Sequence, residues 1–362
     1  MRRVETADVT YEIAVIPGDG IGPEVTAAVQ PLFQDVATAC GFDFVTETYD
    51  WGTERYLETG VMMPDDALAR LSEHDAILLG AVGHPDVPDH VTLHGLLLPI
   101  RKGFDQGICK RPAVLFEGIE SPLAGYAGGE IDFVVYRENT EGEYADVGGR
   151  VHQGFDSEVA VQSAVFTRQG TERIVRSAFE AASERQGRVT SVTKSNAQAY
   201  GMVLWDEVVA DVAADYPDIT VERLLVDAAS MDLVRRPDEF DVLVASNLFG
   251  DILTDIGAIV TGSMGLAPSA NIDPTGDHPS MFEPVHGSAP DIVGQGIANP
   301  LATVLSGAML FDHLGETAAA SCLWEAVADQ LADSGAPRTP DLGGDATTTN
   351  VVDDLGARLP NP

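Results

Sequence analysis

The chain has 362 residues, of which 57 are acidic and 21 basic, and carries a formal net charge of −36. With 44% hydrophobic residues it has material for about two or three domains with a sizeable core, while the acidic excess argues against nucleic acid or an anionic membrane as partner. Lysine is confined to Lys102, Lys110 and Lys194, and the acids are spread along the chain, as in a protein adapted to high salt, where screening removes self-repulsion.

Cys40, Cys109 and Cys322 form no Cys-x-x-Cys motif, which implies a reducing compartment without a disulfide framework. The stretch MRRVETADV has no apolar leader segment and no run approaches about 18 apolar residues, so the chain is expected in the cytoplasm.

In chain order, residues 12–16 read as a strand. PGDGIGPEV at 17–25 is a glycine-rich turn opening a helix that runs to about residue 40. Its G-x-G-x-G spacing is not the dinucleotide fingerprint, so a tight turn and a weak nucleotide signal both stay open. A strand at 42–50, a helix from Pro64 to before His74, and the buried strand AILLG at 76–80 continue the alternation, which predicts an α/β layer fold with a largely parallel sheet. Arg101, Arg111 and Arg137 are read at loop-to-helix settings or just after a strand. In so acidic a chain they are candidates for holding a multiply charged anion, with surface ion pairing as the alternative. Residues 145–168 read as a hairpin excursion. Helices at 171–187 and 204–216 alternate with strands that deliver Lys194 and Asp227 to their ends, where open α/β sheets place ligands. Residues 282–300 read as a long binding loop, followed by helices from Asn299 and over about 318–333, then a short acidic tail.

The stretch NLFGDILTD at 247–255 follows a buried strand and opens a helix. Positions i and i+4 share a helix face, so Asp251 and Asp255 lie side by side. Their repulsion raises a pKa or calls for a hard cation such as Mg²⁺ or Mn²⁺; the alternative is an acidic helix start that only complements the dipole.

PGDGIGPEV, the arginines at 101 and 111, RENTEGEY, Lys194 with Asn196, VDAASM, NLFGDILTD and EPVHGSAPDI with IANP occur in this order over nearly the whole chain. In these the sequence resembles the β-decarboxylating dehydrogenases, which include isocitrate, 3-isopropylmalate, homoisocitrate and D-malate/tartrate dehydrogenases. GAVGHPDVPDH, IRKGFDQ, DFVVYRENTEGEY and LAPSANI look most like the D-malate/tartrate branch.

The resemblance implies a three-layer α/β fold of two domains. One is discontinuous (1–105 and 260–362, cofactor side); the other spans 106–259 and carries metal, dimer contacts and a clasp hairpin. It implies NAD held by Gly83, His286, Gly287, Ser288, Ala289, Asp291 and Asn299, with Asp291 disfavouring a 2′-phosphate. It implies Mg²⁺ or Mn²⁺ on Asp251 and Asp255 with Asp227 of the partner subunit, and Lys194 likewise reaching the active site of the neighbouring chain, so that sites are shared in a homodimer or higher oligomer. Arg101, Arg111 and Arg137 would bind substrate carboxylates, His94 and Leu97 would face the C3 substituent, and Tyr144, Lys194 and Asp227 would be catalytic. The implied reaction is NAD-dependent oxidative decarboxylation of a (2R)-2-hydroxy acid with a β-carboxylate, D-malate first and tartrate also, with 3-isopropylmalate, isocitrate or homoisocitrate as alternatives. His94 departs from the large aromatic residue frequent in D-malate/tartrate relatives, and Lys110 from an apolar one. A regulatory subunit that has lost catalysis is the non-enzyme alternative, but such subunits usually lose a metal aspartate, the tyrosine or the lysine, and all are present here.

Overall fold

The computed structural model describes residues 9–359; residues 1–8, read above for a leader, lie outside that range. The chain divides into two compact units. Unit 1 comprises Met1–Phe104, Phe116–Glu120 and Gly262–Pro362, and unit 2 comprises Asp105–Leu115 and Ser121–Thr261.

The chain enters unit 1 through β1 (Thr10–Gly18), α1 (Gly22–Cys40), β2 (Asp43–Thr48), α2 (Thr53–Thr59), α3 (Ala67–Leu71) and β3 (Ala76–Ala81). It continues through α4 (Asp89–Thr92), a π turn at Leu93–Leu97 and α5 (Leu98–Gly103). Helix α1 forms because proline suits its first turn and Val25, Val29, Leu32, Phe33 and Val36 make one buried stripe. It ends at Gly41, whose left-handed backbone returns its N–H to Ala37 and Thr38.

Unit 2 contains β4 (Ile108–Val114), β5 (Asp132–Glu138), β6 (Gly142–Val151), β7 (Val159–Val165), α6 (Arg168–Ser183), β8 (Arg188–Thr193) and α7 (Gly201–Ala213). It is completed by β9 (Thr220–Leu225), α8 (Val226–Arg235), β10 (Val242–Ala245) and α9 (Asn247–Val260). The chain then returns to unit 1 with β11 (Pro268–Ile272), β12 (Ser280–Pro284), α10 (Leu301–His313), α11 (Thr317–Ala332) and α12 (Thr348–Arg358).

In unit 1 the strand order is β2-β1-β3-β12-β11, parallel except for the antiparallel β11–β12 pair. Ile16, Leu79 and Met281 from these strands pack with Trp51, Met62, Leu71, Leu96 and Ile100 in one apolar cluster. In unit 2 the order is β4-β5-β10-β8-β9, antiparallel only between β4 and β5. Strand β10 is buried along its whole length, as a parallel strand covered on both faces must be. Strands β6 and β7 form a separate antiparallel hairpin that leaves Val147, Val151, Val159, Val161 and Phe155 exposed. No helix of the described residues is long and apolar enough to cross a membrane.

Several local expectations change. Arg111 and Arg137 lie within strands β4 and β5, and only Arg101 is on a helix. The Lys110–Arg111–Pro112 run hides a strand that pairing with β5 holds in place. The strand expected to end at Asp227 stops at Leu225, and Asp227 stands in the first turn of α8, where a carboxylate meets the positive end of the helix. The expected loop at 282–300 begins inside β12, and the acidic tail folds into α12, started by a capping box of Thr347 and Asn350.

Candidate active site

In unit 2, β10 carries the chain to Ser246 and directly into α9, so the first two turns of this helix lie at the strand's C-terminal end. The β4–β5 register sets Cys109 opposite Arg137; Arg111, two residues on, therefore shares the face of Arg137. The stem of Arg137 runs against Gly250, where a Cβ would stand only 2.6 Å from the arginine Cβ and Cγ. Its Nε and Nη2 donate to Asn247 Oδ1 at 3.1 and 2.7 Å, and its Nη1 donates to Asp251 Oδ1. Arg111 Nη1 donates to Thr254 Oγ1 at 2.7 Å and lies 3.5 Å from Asp251 Oδ1. From β6, Tyr144 donates its hydroxyl to Asp251 Oδ2 at 3.1 Å, with the Arg137 guanidinium 5.5 Å from its ring centre.

Asp251 thus gathers two arginines and a tyrosine on one carboxylate. One helical turn on, burial and then the Asp251 charge push the Asp255 carboxyl up, against the pull of Arg111 and Arg137. Lys194, just past β8, donates to Asp227, and that bond holds the Asp227 carboxyl below the usual carboxylate range. Among the described residues no group of three or more His, Cys, Asp or Glu side chains is placed to hold a metal ion. Asp251 and Asp255 therefore meet without Asp227. Two adjacent carboxylates, one resisting ionisation through burial and then the charge of the other, are a donor pair of the kind a hard divalent cation suits.

In unit 1, Arg101 on α5 is buried and donates Nη2 to Glu283 Oε1 at 2.5 Å; Asn271 donates to the same oxygen at 2.8 Å. The π turn before α5 leaves His94 exposed and Leu97 half-buried. Gly83 follows β3 with a backbone φ of 134°, which favours glycine, and its N–H donates to Asp19 Oδ2 at 2.8 Å. In the segment after β12, His286 shares a hydrogen bond with Gly287 O through Nδ1, and burial pushes its imidazole pKa down. Ser288 is buried, Ala289 has a positive φ of 41°, and Asp291 is exposed. The Asn299 amide is engaged at both ends, accepting from Leu301 N at 3.0 Å and donating to Asp341 at 2.9 Å, so its side chain ties the start of α10 to Asp341.

Sequence reasoning placed Asn247 at a strand end but gave it no role; its position four residues before Asp251, on the same helix face, was the available signal. Glu283 stood in the sequence only as the first residue of EPVHGSAPDI, with no role of its own, and Asp341 carried no signal, because each acts through partners distant in sequence.

Residues 12–355 match the isocitrate/isopropylmalate dehydrogenase family. A probable tartrate dehydrogenase/decarboxylase of Agrobacterium vitis is 50% identical over 345 residues, covering 95% of this chain and 96% of that protein. A D-malate dehydrogenase [decarboxylating] of Escherichia coli (strain K12) is 49% identical, covering 95% and 97%, and a 3-isopropylmalate dehydrogenase of Thermobifida fusca (strain YX) is 48% identical, covering 97% and 98%. Among solved structures, isocitrate dehydrogenase from Methylococcus capsulatus is similar with a TM-score of 0.86 at 36% identity, covering 96% of this chain and 99% of that one.

Proposed function

The chain belongs to the isocitrate/isopropylmalate dehydrogenase family and is an oxidoreductase, and from that premise we propose that it catalyses NAD⁺-dependent oxidative decarboxylation of D-malate to pyruvate and CO₂, with tartrate as a further substrate. The observation that carries this reading is the convergence of Arg111, Arg137 and Tyr144 on Asp251, one turn from Asp255. Arg111 and Arg137 bind and orient the substrate carboxylates. For Arg101, His94 and Leu97 we propose the substrate contacts that the resemblance implies. The polar, exposed His94 suits a hydroxyl or carboxylate on C3 better than an isopropyl group.

Asp251 and Asp255, with Asp227 of the partner subunit, would hold Mg²⁺ or Mn²⁺, which supplies Lewis acidity at the C2 oxygen. Lys194 of the partner subunit, paired with Asp227 of the partner subunit, would take up the C2 hydroxyl proton, and NAD⁺ held by the residues assigned to it above would supply the hydride acceptor for C2, leaving a β-keto acid. The bond from C3 to the β-carboxylate then breaks, CO₂ leaves, and Tyr144 protonates C3 of the resulting enolate to give pyruvate.

Sharing of the site between copies is supported by two helix faces. On α8, Asp227 shares its stripe with the exposed Met231 and Val234; on α9, Asp255 stands between the exposed Ile252 and Ile259. An unpartnered apolar stripe beside each carboxylate fits a homodimer contact, with the β6–β7 hairpin as a clasp. Use of NAD rather than NADP is supported by exposed Asp291, whose charge repels a 2′-phosphate. The low cysteine count without a Cys-x-x-Cys motif supports a reducing, cytoplasmic setting, and the acidic composition supports adaptation to high salt.

Replacing Tyr144 by phenylalanine tests the assignment. Formation of pyruvate from D-malate should fall by about 10²-fold or more, while reduction of oxaloacetate by NADH stays within about threefold of wild type. Equal loss of both activities contradicts the role of Tyr144 as the C3 acid.

A further inference from the structure

The glycine-rich turn between β1 and α1 has no part in the chemistry above, yet its carboxylate is among the most engaged in unit 1. Asp19 is 5% exposed. Its Oδ1 accepts from Thr53 N at 2.6 Å, and its Oδ2 accepts from Thr53 Oγ1 at 2.6 Å and from Gly83 N at 2.8 Å. The backbone donors of the turn point inward as well. Asp19 N donates to Ala81 O at 2.8 Å, Ile21 N to Ser288 O at 2.9 Å, and Gly22 N to Asp19 O at 2.9 Å. The approach of the Ser288 segment depends on Gly20, where a Cβ would fall 2.0 Å from Ser288 O and where φ is 59°. Gly83 lies on the other side of the same serine, the site of its absent Cβ being 3.2 Å from Ser288 Oγ.

A turn whose N–H groups at Asp19, Ile21 and Gly22 are already bonded is not a phosphate cradle. We infer that it is instead a brace for the cofactor loops, with Asp19 the positioning residue: through Gly83 it fixes the turn after β3, while the neighbouring Ile21 N–H anchors the segment at Ser288. Charge-assisted bonds to one carboxylate suit this task because they are short and directional. An asparagine at 19 does not replace it. The amide nitrogen would face either Thr53 N or Gly83 N, donor against donor, so one of the two segments is released. This inference rests on the proposed assignment of Gly83 and the segment 286–291 to NAD.

The test measures NAD⁺ dissociation by direct titration of the full-length enzyme in molar KCl, together with steady-state kinetics and thermal unfolding. Asp19→Ala removes the acceptor of Gly83 N outright and should raise the NAD⁺ Kd by about tenfold or more, while the KM for D-malate at saturating NAD⁺ stays within about twofold. Asp19→Glu, which keeps the charge but lengthens the side chain, should act in the same direction and serves if the alanine variant does not fold. Thr53→Val leaves the Asp19–Gly83 bond in place and should change the NAD⁺ Kd by less than about threefold. A lower Tm with unchanged NAD⁺ affinity would make Asp19 merely structural and overturn the inference. Asp291→Ala separates the two levels. If it weakens NAD⁺ binding and the Asp19 variants do not, the brace is wrong and the cofactor assignment stands. If neither weakens it, the cofactor assignment fails and the brace with it.

Discussion

Asn247→Ala tests whether the arginine cluster is held ready or assembles around its ligand. Asn247 is 1% exposed and Arg137 2% exposed, so water does not easily replace a lost partner. The substitution removes the shared acceptor of Arg137 Nε and Nη2 and also the Nδ2 bond to Glu141 O at 3.1 Å. Hydrogen bonds to charged groups contribute about 1.5–3 kcal/mol each. Losing two, with partial compensation from the retained Asp251 contact, costs about 3 kcal/mol in the geometry of the guanidinium. If that geometry is what the transition state uses, kcat/KM for D-malate falls by about 10²-fold. The NAD⁺ Kd, measured separately by titration, should stay within about twofold, because every residue assigned to NAD belongs to unit 1. Urea unfolding of the same variant establishes that it is folded under assay conditions. A folded variant with kcat/KM within about threefold of wild type would refute the claim that Asn247 positions Arg137.

A mixing experiment addresses the shared site: Lys194→Ala and Asp251→Asn homodimers, each nearly inactive, should regain up to about a quarter of wild-type activity after subunit exchange, because half the dimers are mixed and each holds one intact site. No recovery despite demonstrated exchange would place Lys194 and Asp251 in the site of one chain. The pH dependence of stability offers a separate check at Glu138, which is 3% exposed and whose carboxyl is pushed up by burial despite bonds from Thr140 and Glu141. A raised folded pKa means that the folded protein holds this proton more tightly, so its contribution to stability is full below the unfolded value of about 4.3 and is lost as pH rises through the folded pKa. Glu138→Gln should remove that part of the slope. The urea midpoint of the variant therefore rises relative to wild type as pH goes from about 4.5 towards neutral, whereas parallel curves would contradict the direction of the shift.

The order of elements was legible in the sequence because its main signals are local. The strand at 76–81 is apolar throughout, α1 has a clean stripe and a glycine stop, and the Asp251/Asp255 pair follows from helical spacing alone. Strand β4 was not legible. Lys110, Arg111 and Pro112 carry no strand pattern, and the strand exists because β5 pairs with it along its length. Asp227 was placed one element too early because ITVERLLVD runs without a break from a strand into the first turn of a helix. The glycine-rich turn at 18–22 looked equally like a nucleotide loop and a tight turn. Only the partners of its N–H groups, distant in sequence, decide the question. Arg101 could be recognised as a candidate anion ligand, but its buried pairing with Glu283 depends on a strand 182 residues away.

The central claim is tested most directly by supplying the purified enzyme with NAD⁺, Mn²⁺ and, in turn, D-malate, L-tartrate, 3-isopropylmalate and isocitrate, in dilute buffer and in molar KCl, while measuring NADH, pyruvate and CO₂ together. The expected result is the highest kcat/KM with D-malate, one pyruvate and one CO₂ for each NADH, no turnover after the divalent metal is removed, and a rate that rises with KCl. A preference of about tenfold or more for 3-isopropylmalate, equivalent to about 1.4 kcal/mol in the transition state, or full activity without a divalent metal, would contradict it.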